Sequence, residues 1–139
     1  MSVRINLHQE TRPYKIEVFG LQDNYIGCLQ SYEDSFIGQV VEPRLEIKAD
    51  GTQTFTCKIP KFYLSEEPNT RVINPRWKDA ENGILAENTR VLKVYVQFSD
   101  WQIKVFPFII DKIVNKRDKN FSVYKEITSS GLAFAELGK

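Results

Sequence analysis

Apolar and polar residues alternate with period two through most of the chain, the repeat that sets one side of a β-strand in a core and the other in water. The stretch "RVLKVYVQFSDWQIKVFPF" shows it twice over. With Ser99-Asp100 as a two-residue turn, Phe98 faces Trp101, Val96 faces Ile103, Val94 faces Val105 and Leu92 faces Pro107. Lys93, Tyr95, Gln97, Gln102 and Lys104 then share the opposite, largely polar or amphipathic face. A one-residue slip would exchange the faces, so the pattern specifies this register. A second hairpin is read from "EPRLEIKADGTQTFTCKIP". Taking Ala49-Asp50-Gly51 as a three-residue loop puts Gly51 in the left-handed conformation that closes a bulged turn and sets Leu45 opposite Phe55. Ile47 and Cys57 join that face, while Glu46, Lys48, Thr54 and Thr56 take the other. "DKIVNKRDKNFSVYKEI" gives a third hairpin around Arg117-Asp118-Lys119-Asn120. "YKIEVFG" and "YIGCLQ" form a further pair flanking "LQDN", with "FIGQVV" next in line.

Short strands separated by turn signals, with no recurring helical crossover, predict a mainly β protein: an antiparallel β-barrel or sandwich. Its one long loop runs from Lys61 to Thr89, where Pro68, Pro75 and Gly83 interrupt any single strand. "DAENGILAEN" is the place in it for a helical turn, and Trp77 and Ile73 are the residues to tuck back onto the barrel. The closing phrase "SSGLAFAELGK" reads as a short helix capped by Ser129 or Ser130, with Leu132, Ala133, Phe134 and Leu137 on its apolar side and Gly138 at C′. The expected organisation is a barrel over 1–128 and a short helix over 129–139 that either covers the barrel or forms the junction to a further domain.

Length changes the picture little: 139 residues suit one domain with its own core. Charge changes it more. A formal net charge of +1 offers no bulk attraction for duplex nucleic acid or an anionic membrane. Basic and aromatic residues do mix in "NKRDKNF" with Tyr124 and Lys125, but a solvated hairpin tip accounts for them. The N-terminal "MSVRINLHQE" lacks the apolar core of a signal peptide, so synthesis in the cytoplasm is expected.

The usual chemistries find no constellation here. Cys28 and Cys57, isolated in apolar runs, form no redox or zinc motif and read as small packing residues, with a disulfide as the less favoured alternative. His8 is the sole histidine, and Glu10 follows it at a spacing unlike HExxH. Glu66 and Glu67 are adjacent hydrated loop carboxylates. The dispersed glycines form no phosphate-binding loop. No catalytic residue, cofactor or metal ligand is assigned, and the chain is not expected to be an enzyme. Loop aromatics fit a protein interface, with Tyr63, Asn74, Pro75, Arg76 and Trp77 as the candidates. A carbohydrate-binding β-sandwich that recognises a cell-wall glycan through Tyr63, Trp77 or Trp101 is the alternative.

The ordered phrases "TFTCKIP", "NPRW", "ENTRVLKVYV", "FIIDKIVNKRD" and "GLAFAELGK" resemble the N-terminal β-domain of phage tail-tip hub proteins, the tail-associated lysin or prophage tail endopeptidase family. The likeness runs from about Leu45 to Lys139 and includes no catalytic signature. It implies a β-barrel related to the baseplate hub of contractile phages, usually a trimer that closes the tail tube below a ring of distal tail protein. It implies self-association, distal tail protein and other tail-tip proteins as partners, and a place in the virion tail tip. Any peptidase or wall hydrolase activity would lie in a downstream region.

Overall fold

The computed structural model describes residues 3–6, 13–32, 40–64, 70–99, 102–120 and 122–131. The elements are β1 (Val3–Asn6), β2 (Tyr14–Gly20), β3 (Tyr25–Gln30), β4 (Val41–Ile47), β5 (Gln53–Pro60), β6 (Phe62–Leu64), β7 (Arg71–Ile73), α1 (Pro75–Glu81), β8 (Arg90–Ser99), β9 (Gln102–Arg117) and β10 (Val123–Gly131). Eight strands form one antiparallel sheet in the order β1-β4-β5-β10-β9-β8-β2-β3, and β6 pairs with β7 as a separate ribbon. The chain is thus mainly β and antiparallel, as its alternation predicts. Among the described residues no ladder joins β1 to β3, so the sheet is open rather than a closed barrel.

β9 links two halves of this sheet. Its first part, Gln102 to Ile109, pairs with β8, and its second, Phe108 to Arg117, with β10. The register on β10 shifts between Thr128 and Ser129, leaving Asp111 as an extra residue on β9, and such bulges bend a strand and increase its twist. One inner face results. Ile16, Val18, Leu45, Phe55, Cys57, Ile59, Leu92, Val94, Val96, Phe108, Ile110 and Ile127 are buried in one cluster. The Phe55 and Phe108 rings lie 5.6 Å apart on the strands that flank β10, so the inner-face side chains pack across that strand.

The β4–β5 hairpin matches its expected register. Leu45 pairs with Phe55, and Gly51 takes φ 89° while its N–H donates to the Lys48 carbonyl at 2.9 Å. β2 pairs with β3 across the expected turn, with Asp23 at φ 65°. β9 and β10 also form their hairpin, where the Asp118 carboxylate accepts from the backbone N–H groups of Asn120 and Ser122 at 2.8 and 2.9 Å. "FIGQ" of the further run falls outside the described residues; Val40 is buried and Val41 opens β4.

The β8–β9 hairpin exists, but its register is one residue away from the expected one. Leu92 pairs with Phe108, Val94 with Phe106, Val96 with Lys104 and Gln97 with Ile103. Ile103 and Val105 consequently stand on the outer face, 52% and 47% exposed. The physical reason is the continuous apolar run from Val105 to Ile110, which carries no alternation to choose between phases. The core selects Phe106, Phe108 and Ile110 as the set that faces Leu92 and Val94, since these are bulkier than the alternative. The C-terminal boundary also differs. Ser129 and Ser130 are strand residues of β10 rather than helix caps; the Ser129 hydroxyl donates to the Phe55 carbonyl at 2.7 Å, and that of Ser130 to Asp111. The remainder of the expected helix, 132–139, lies outside the described residues.

Candidate functional site

The excursion between β5 and β8 is anchored by side chains before it displays any. Asn74 is the N-cap of α1: its extended backbone (φ −64°, ψ 124°) precedes Pro75 at the helix start, and its amide oxygen accepts from the Arg76 backbone N–H at 3.0 Å. The same side chain donates through Nδ2 to the Pro60 carbonyl at 2.9 Å, tying the helix start to the end of β5. The Arg76 guanidinium donates to the Cys28 carbonyl at 2.5 Å and to Asp79 at 2.9 Å, which ties the helix to β3. Its Nε is buried without a partner among the described residues.

Trp77 turns inward and is 7% exposed. Lys125, on the inner face of β10 in phase with Ile127, lays its ammonium 4.3 Å from the indole centroid. That ammonium donates to Asn115 Oδ1 at 2.9 Å and lies 3.5 Å from Glu81. Burying a charged group is costly unless partners replace its water, and here the ring, the amide and the carboxylate surround it. α1 is therefore a plug fixed to β3, β5 and β10.

Of the expected interface residues, Asn74 and Trp77 are buried, Arg76 and Tyr63 half-buried, and Pro75 exposed. Asn74, Pro75, Arg76 and Trp77 come together on α1, while Tyr63 sits on the β6–β7 ribbon opposite Val72. The expected fold-back is correct for Trp77 and incorrect for Ile73, which is 42% exposed. The sequence places a helical turn within 79–88, whereas α1 begins at Pro75. The local signal for this start is Asn74-Pro75, a capping residue followed by the residue favoured at the first helical position. Burial of Trp77 removes the indole from any glycan platform, and Trp101, like His8, Glu10, Glu66 and Glu67, lies outside the described residues.

The two halves of the sheet present different outer faces. On β2, β3, β8 and the start of β9, Tyr95 pairs with Val105 on one side and Lys15 on the other. The Lys15 ammonium lies 4.4 Å from the Tyr95 ring and 5.5 Å from that of Tyr32. Lys93 lies 4.1 Å from the Phe19 ring and 2.5 Å from Asp23, and Phe19 meets Tyr25 edge-on at 5.6 Å. Leu21 and Tyr25 are 59% and 57% exposed. Burial, and then its hydrogen bond to Glu17, pushes the Tyr95 phenol up to about 12. This face therefore carries exposed aliphatic and aromatic side chains interleaved with paired charges. On β4, β5 and β10 the outer face is instead hydroxylated and charged, with Thr56 opposite both Arg44 and Thr128, and Lys58 opposite Glu126.

Inside, burial pushes the Cys57 thiol up to about 12 and raises the Tyr14 phenol above its ordinary range. Both cysteines are free thiols. Among the described residues there is no group of three or more His, Cys, Asp or Glu side chains arranged to hold a metal ion. No family model matches the chain, and it has no match among curated proteins or solved structures.

Proposed function

We propose that this chain is the leading β-domain of a phage tail-tip hub, a structural part that helps close the tail tube beneath the ring of distal tail protein. The observation that carries the reading is the exposure of the apolar side chains of Ile103 and Val105 on the outer face of β9, Val105 beside Tyr95, in a sheet whose end strands β1 and β3 each pair with one other strand among the described residues. Exposed aliphatic patches and open strand edges are the features by which β-domains join other chains. In this reading the domain works by assembly rather than catalysis, forms a trimer, takes the distal tail protein and other tail-tip proteins as further partners, and resides in the virion tail tip after synthesis in the host cytoplasm. The order of the phrases from "TFTCKIP" to "GLAFAELGK" supports the same assignment.

The direct test replaces Ile103 and Val105 by Asp. Both side chains are exposed, so folding should survive. Loss of binding to immobilised distal tail protein and of self-association, with an unchanged circular dichroism spectrum, is the expected result. Unchanged assembly would remove this face from the account.

A further inference from the structure

The hydroxylated outer face of β4, β5 and β10 contains a shallow open pocket of about 230 Å³. Glu42, Arg44, Thr56, Lys58, Glu126 and Thr128 line it. Its shape depends on an irregularity in β4. Val41 pairs with Lys58 and Arg44 with Thr56, so β4 spends one more residue than β5 across this interval, and Glu42 sits at φ 51°. A positive φ is unfavourable for a glutamate, and such conformations, when held by surrounding structure, gather at binding sites. Bulges likewise serve to re-aim side chains.

The charges around the pocket are unequally satisfied. Glu42 is 2.7 Å from the Lys58 ammonium, and Glu126 is 2.8 Å from that of Lys116. Each carboxylate thus has a lysine of its own. The hydrogen bond from Lys58 leads the effects that hold the Glu42 carboxyl below its ordinary range, so it is ionised near neutral pH. Arg44 is held more loosely: its guanidinium comes no closer than 3.6 Å to Glu42, and its side chain is 46% exposed. Among the described residues its one ion pair is this long contact, and a guanidinium recognises a carboxylate in a two-pronged geometry. The Thr56 and Thr128 hydroxyls, and the lone pairs of the two glutamates, are donors and acceptors suited to sugar hydroxyls.

We infer that this pocket binds an acidic saccharide, a single hexuronate-sized unit whose carboxylate pairs with Arg44 and whose hydroxyls meet Thr56, Thr128 and the flanking glutamates. An acidic side chain from a protein would engage Arg44 but leave the Thr56 and Thr128 hydroxyls unused, so a sugar acid is the better complement. The site lies on the opposite half of the sheet from the apolar face and stands independently of the assembly role.

The test is a titration of the full chain with glucuronate, using glucose and acetate as controls, followed by amide chemical shifts in NMR. Saturable glucuronate shifts centred on Thr56, Lys58, Glu126 and Thr128, at least tenfold tighter than with either control, are expected. Arg44→Ala should weaken binding at least tenfold, and Arg44→Lys should restore only part of it, with the remaining spectrum unchanged. Equal weak binding of glucuronate, glucose and acetate would overturn the inference. So would glucuronate shifts located elsewhere, or saturation by an acidic peptide in preference to the sugar.

Discussion

Replacing Trp77 by Ala tests whether α1 is a plug of the core or a contact surface. An aromatic side chain of this class buries roughly 150–250 Å², and Trp77 keeps only 7% of its surface in contact with water. At about 25 cal/mol per Å² that burial is worth roughly 4–6 kcal/mol, in line with the roughly 3–5 kcal/mol typical of Trp-to-Ala changes in cores. The Lys125 ammonium 4.3 Å from the ring loses its aromatic partner as well, a contribution of about 1 kcal/mol that overlaps the burial figure. A loss of about 4 kcal/mol is therefore expected, a large part of the roughly 5–15 kcal/mol that holds a domain folded. Urea unfolding followed by far-ultraviolet circular dichroism reads it directly: with a slope near 2 kcal/mol per molar, the midpoint should fall by about 2 M. Trp77→Phe should lose less, and a double-mutant cycle with Lys125→Met should show coupling of about 0.5–2 kcal/mol. A change below about 0.5 kcal/mol, the size of an ordinary surface substitution, would refute the plug.

Other expectations follow from the same geometry. Asn74→Ala removes the α1 cap and leaves the Pro60 carbonyl without its donor, so it should cost about 1–3 kcal/mol in the same unfolding assay. The Glu42 carboxyl has a folded value below its ordinary 4.5, chiefly through the hydrogen bond from Lys58. Its stabilisation is fully present above the unfolded value and is lost as pH falls through the folded one. The difference in melting temperature between the parent and Glu42→Gln should accordingly be largest near neutral pH and vanish in strong acid. Cys57, buried and raised to about 12, should resist alkylation at mildly alkaline pH until the chain is unfolded, which mass spectrometry of the labelled peptides will show.

Particular segments explain how much of this was legible in the sequence. The β4–β5 hairpin could be read to the residue because Leu45, Ile47, Phe55 and Cys57 alternate cleanly with polar neighbours and Gly51 marks the turn. β8–β9 could be read as a hairpin but not in register, because residues 105–110 are apolar throughout and only the three-dimensional core distinguishes Phe106 from Val105. That single slip hid the apolar outer face, since the expected pairing buried Ile103 and Val105. The fastening of α1 was hidden for another reason. Asn74, Arg76 and Trp77 reach Pro60, Cys28 and Lys125, partners remote in sequence that no local pattern connects. The Arg44 pocket likewise arises from a bulge, visible only once the pairing of β4 with β5 is known.

The assembly role is tested most directly by the mass of the purified chain in solution, measured by sedimentation over a concentration series with and without the distal tail protein. The account predicts a trimer or a defined complex with the distal tail protein ring, lost when Ile103 and Val105 become Asp. A chain that stays monomeric at every concentration and ignores the distal tail protein would contradict it.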